Sequence, residues 1–113
     1  RGNITAAQGE LQAAEARLNA ARFDAEADIR TARFQLGAAQ SRADAAGQGE
    51  TSAAEAFRLT RIAYESGKAP LVELINARRS LAEARDQTIQ AQLARVRAEA
   101  DLARLQGRLF GDR

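Results

Sequence analysis

The sequence contains no cysteine and no histidine, and these two absences exclude the most. Without thiolate or imidazole there is no usual zinc site, no Ser-His or Cys-His nucleophile pair and no thiol redox chemistry. The lack of cysteine is compatible with an oxidising compartment and does not require one. Tryptophan and methionine are also missing, proline occurs once, and the aromatics are four Phe and Tyr64. Strand formers are scarce, which excludes a β-sandwich. No run of 18 apolar residues exists, so no transmembrane helix is expected. Neither sign of charge dominates, with 17 basic residues against 15 acidic and a net charge of +2. The longest basic run is Arg78-Arg79, and no basic stripe is interleaved with aromatics. Nucleic acid is therefore not an expected partner.

What the chain has is alanine, 28 of its 113 residues, against 11 leucines. Hydrophobic residues reach 45%, but most are methyl-sized and cannot fill a thick core. Ala, Glu, Gln, Arg and Leu together are the composition of long helices and coiled coils. The length suits a single unit over residues 1–113. The opening Arg1-Gly2-Asn3 has neither Met nor an apolar leader, as expected of a piece excised from a longer protein.

The periodicity is helical nearly throughout. Steps of seven from Ile4 meet Leu11, Leu18, Ala25, Ala32, Ala39, Ala46 and Ala53. A companion column runs Ala7, Ala14, Ala21, then slips one residue to Ile29, Leu36 and Ala43. Such a narrow stripe is a coiled-coil seam, and its alanines let a partner helix approach closely. A second segment has Ile75, Ala82, Ile89, Val96, Ala103 and Phe110 seven apart, with Leu74, Leu81, Leu93, Ala100 and Leu102 alongside. Glu26–Arg30, Arg79–Glu83, Arg95–Glu99 and Arg97–Asp101 have four-residue spacing, suited to ion pairs on a solvated helix face.

Punctuation is strongest at Tyr64-Glu65-Ser66-Gly67-Lys68-Ala69-Pro70-Leu71. Gly67 suits the left-handed end of a helix, and Pro70 suits the first turn of the next, capped by Ala69. Asn3 or Thr5 would cap the first helix, with Thr5 and Gln8 in capping-box spacing. Gly47-Gln48-Gly49, followed by Ser52 and Glu55, allows a break near 47–51, while the alanine column through Ala53 favours continuity. The expected fold is all-α: a long antiparallel hairpin with helices at about 4–66 and 70–108 and a turn at about 67–69. At 1.5 Å per residue the first helix would be roughly 95 Å long and the second roughly 58 Å. The overhang of the first, with Ile4, Leu11 and Leu18, then lacks an intrachain partner, and exposed stripes of that kind seek other helices.

The residues suggest no enzyme. Acidic pairs such as Asp24/Asp28 lie on solvated faces without pocket-forming bulk, and no catalytic, cofactor-binding or metal-ligating set emerges. A generic coiled-coil oligomerisation module satisfies composition and periodicity equally well.

The turn and its flanks go further. Ala63-Tyr64-Glu65-Ser66-Gly67-Lys68-Ala69-Pro70-Leu71-Val72-Glu73-Leu74-Ile75-Asn76-Ala77-Arg78-Arg79-Ser80-Leu81 resembles the repeat signature of the outer membrane efflux protein (TolC-like) family. Arg1 to Ala7 is similar to that family's exit from its last β-hairpin into the long helix, and Ala98 to Gly107 to its C-terminal end. The return helix most resembles the heavy-metal-efflux (CzcC-like) branch. The resemblance implies the last helical hairpin of a homotrimeric channel, with a periplasmic tunnel and an outer-membrane barrel that this piece lacks. It implies export of metal ions or drugs with an inner-membrane pump and a periplasmic adaptor, and no chemistry or cofactor. Docking would fall on the tip turn at Tyr64, Gly67, Lys68, Ala69 and Pro70, and Glu73 and Asn76 would line the pore. Asn76 departs from the acid often found there; Ala69 stands where the family has a basic turn residue, beside Lys68. The rival, an adaptor hairpin, commonly carries R-x-x-x-L at its tip, and no Arg here is followed by Leu four residues on.

Overall fold

The computed structural model describes residues 2–111, and nearly all of them are helical. Helix α1 spans Gly2–Glu65 and helix α2 spans Leu71–Leu109, 64 and 39 residues respectively. They run antiparallel in a rod of 98 × 23 × 14 Å, with no strand among the described residues. The length matches a straight α1 at about 1.5 Å per residue. None of the helices is long and apolar enough to cross a membrane.

α1 is unbroken at Gly47 and Gly49. Two helical glycines cost about 1 kcal/mol each relative to alanine, and the alanine-rich seam on either side carries the helix through. The alternative capping box does not form, because Glu55 is engaged with Arg58 inside the helix at 2.6 Å. Asn3 and Thr5 do not cap α1 either; the helix already includes them, beginning at Gly2. Each side chain costs at most about 0.7 kcal/mol inside a helix, so the alanine-rich flank overrides the cap signal. Arg1, which opens the stretch likened to a barrel exit, lies outside the described residues.

The seam is thin. Its buried members are Ile29, Ala32, Ala39 and Ala43 from α1 and Leu81 from α2. Half-buried positions extend the α1 columns to Leu36, Ala46, Ala53 and Phe57, in the heptads expected. On α2 the seam takes Leu74, Leu81 and Leu102 from the expected companions but not Leu93, Ala100 or the Ile75 column itself. It consists of Leu74, Leu81, Thr88, Arg95, Leu102 and Leu109, with Ala77, Ala84, Ala91, Ala98 and Leu105. The column Ile75, Ala82, Ile89, Val96, Ala103 and Phe110 is exposed throughout. It lies one residue later, about 100° round the helix from the seam. α2 therefore has two apolar stripes, and the hairpin uses the one that combines leucines with alanines. A hydrogen bond crosses the seam: the Thr88 hydroxyl lies 3.1 Å from the Ala46 carbonyl of α1 and equally close to its own Ala84 carbonyl.

α1 ends in a Schellman motif. The Lys68 N–H donates to Ala63 O at 2.7 Å and the Gly67 N–H to Tyr64 O at 3.0 Å, with Gly67 at φ +78°. Replacing Gly67 with alanine is expected to cost about 1 kcal/mol, since a Cβ is strained in this left-handed conformation. Chemical denaturation would measure it, and an unchanged midpoint would contradict it. The reversal takes one residue more than the spacing suggests. Pro70, with ψ 159°, is the cap of α2 and not its first helical residue, and Ala69 precedes the cap. Glu73 N–H closes the first turn onto Pro70 O at 3.1 Å.

Candidate functional site

The tip gathers the residues singled out in the sequence. Tyr64, Lys68 and Pro70 are exposed around the reversal, and Ala69 is half-buried beneath it. Glu73 and Asn76 are both exposed on the first two turns of α2. Three residues apart, they are neighbours on one side of the helix. Glu73 and Ile75 are separated by about 200° of helical rotation, and Leu71 and Ile75 by only about 40°. The acid and the amide thus occupy one flank of α2, while Leu71 and Ile75 occupy the other. Leu74 sits between them, half-buried in the seam.

This arrangement can present charge and amide groups to a polar space on one side and apolar surface to another helix on the opposite side. Among the described residues, no three His, Cys, Asp or Glu side chains come together as a metal site. No side-chain polar atom of the described residues is buried without a hydrogen-bond partner. The concavities are open grooves along the rod, such as the one lined by Ala54, Phe57, Arg78, Leu81, Ala82 and Arg85.

Ion pairing follows the helix surface and does not converge on the tip. Of the four expected pairs only Arg95–Glu99 forms, at 2.9 Å. Asp101 instead engages Arg104, three residues on. Glu55–Arg58 also has three-residue spacing, and the hydrogen bond from Arg58 is the chief reason the Glu55 carboxyl sits below its usual range. Both of its partners are exposed, where ion pairs contribute little to stability.

Two features escaped sequence reasoning. The Thr88 bond across the seam has no signal beyond a threonine in an alanine-flanked column. The exposure of the Ile75–Phe110 stripe has no signal either, because it lies one residue from a second stripe of similar bulk.

The outer membrane efflux protein family model matches residues 1–108. No curated protein and no solved structure matches the chain. The match runs along both helices and through the tip turn, and the hairpin has the length and the strand-free form expected from that resemblance; the chain belongs to the outer membrane efflux protein family.

Proposed function

We propose that this chain is the last helical hairpin of the periplasmic tunnel in a homotrimeric outer-membrane efflux channel. One observation carries the reading: the exposed heptad stripe Ile75, Ala82, Ile89, Val96, Ala103 and Phe110 on α2. A stripe with that repeat over 35 residues matches a continuous partner helix, because only a helix stays in step with it. The α1 overhang adds a second demand, since Ile4 and Leu11 extend the seam beyond α2, and they and Leu18, at the edge of α2 near Leu109, remain exposed. A tunnel wall made of adjacent helices satisfies both. The family match speaks against the adaptor hairpin and the generic oligomerisation module.

In this reading Tyr64, Gly67, Lys68, Ala69 and Pro70 form the docking tip for adaptor and pump. Glu73 and Asn76 face the tunnel axis, and Leu71 and Ile75 face a neighbouring helix. Three copies of Glu73 make an anionic ring that favours cations. The cargo is metal ions or drugs, and the likeness of α2 to the heavy-metal-efflux (CzcC-like) branch favours metal ions.

Single-channel recording of the full-length protein tests this. Glu73→Gln is expected to lower cation selectivity while leaving the fold intact. Unchanged selectivity with a small loss of thermal stability would reduce Glu73 to an acid complementing the α2 dipole, worth about 0.3–1 kcal/mol.

A further inference from the structure

We infer that the hairpin contains a flexure at Gly47–Gly49, pivoted on Thr88, about which its tip half bends relative to its root half. Four observations meet at this level. The first is the pair of glycines itself, whose Cβ positions have no heavy atom of the rest of the chain within 4 Å. No close approach of α2 therefore requires glycine there, while alanine would be the better helix former.

The second is the distribution of bulk along the seam. Towards the root, the large seam residues are Ile29 and Leu36 on α1 and Leu102, Leu105 and Leu109 on α2. Towards the tip, Phe57 accompanies Leu74 and Leu81. Between them the seam has Ala39, Ala43, Ala46 and Ala53 on α1, with Ala84, Thr88, Ala91, Arg95 and Ala98 on α2, and around the glycines it is reduced to alanines and Thr88. Interdigitated large side chains resist relative rotation of helices, and methyl groups offer little to lock.

The third is the Thr88 hydroxyl on the Ala46 carbonyl at 3.1 Å, one residue before Gly47. It ties the helices together at the thinnest level, so bending there need not part them. The fourth is Thr51, whose hydroxyl donates to the Gly47 carbonyl at 3.1 Å. Threonine bonding of this i−4 type is a recognised cause of helix bending. The flexure is a property of the hairpin and does not depend on what the hairpin lines.

Electron–electron spin-label distances in the full-length protein, diluted with unlabelled copies, test the flexure. Labels at Gln40→Cys and Arg61→Cys span the glycines over 21 residues, about 31 Å. Labels at Gln12→Cys and Arg33→Cys span the same distance on a glycine-free stretch of α1 away from that level, as a control. The distribution across the glycines is expected to be broader than the control and to narrow to its width in Gly47→Ala/Gly49→Ala. Equal widths before substitution would overturn the proposal, as would a width that the two alanines leave unchanged. Loss of assembly in the alanine variant would also overturn it, assigning the glycines to a close contact with a neighbouring helix.

Discussion

Replacing Ile89 with arginine is expected to prevent assembly of the full-length channel while changing the stability of the hairpin by less than about 0.5 kcal/mol. Ile89 is 66% exposed and stands midway along the outer stripe of α2. Within the hairpin, an arginine there extends into water and disturbs nothing. Under a neighbouring helix the same guanidinium is desolvated without a partner, at a cost of several kcal/mol per site. Threefold symmetry would repeat that cost in each protomer. Gln90→Arg, one position further round the helix, is the control. The size of the detergent-extracted protein reports assembly, and thermal unfolding followed by circular dichroism reports the hairpin. A normally assembled Ile89→Arg channel would mean that no helix covers the stripe, and the tunnel reading would lose its main support.

Leu81→Ala is expected to cost about 2–3 kcal/mol, the lower part of the range for buried leucines. Leu81 is 5% exposed and is the one buried residue that α2 contributes among the described residues. Ala54 and Phe57 line the same groove. With alanines over much of the remaining seam, few large neighbours can move in to fill the space. The loss is therefore a substantial share of a stability normally in the range of about 5–15 kcal/mol. A denaturant midpoint lowered accordingly, with an unchanged slope, would bear this out. A cost below about 1 kcal/mol would mean that the two helices close over the gap.

The α1 seam and the turn could be read in advance because each has a local cause. Ala32, Ala39 and Ala46 repeat at seven, and Gly67 before Pro70 combines a left-handed stop with a start. The α2 seam could not be read in the same way. Ile75, Ile89 and Val96 match Leu74, Leu81 and Leu102 in bulk, yet only the leucines, with Ala77, Ala84 and Ala91, face α1. Bulk alone does not choose between the two apolar stripes of α2. The extra residue in the reversal had a related origin, since Pro70 fits both the cap and the first turn by its fixed φ, and only ψ separates them. At the tip, the shared flank of Glu73 and Asn76 follows from their three-residue spacing alone. What that flank faces is set by helices outside this chain.

The alanine seam also fixes how the hairpin responds to temperature. Heat capacity of unfolding scales with the apolar surface newly exposed, and globular domains average about 12–15 cal/mol/K per residue. A rod whose buried hydrophobic set is Ile29, Leu81 and three alanines hides little such surface. Its own increment therefore falls below that average, and its stability curve is correspondingly flat. Alanine also surrenders no rotamer freedom on burial, so little side-chain entropy opposes the closing of the seam. The two helices are joined weakly, by an attachment that changes slowly between cold and warm surroundings.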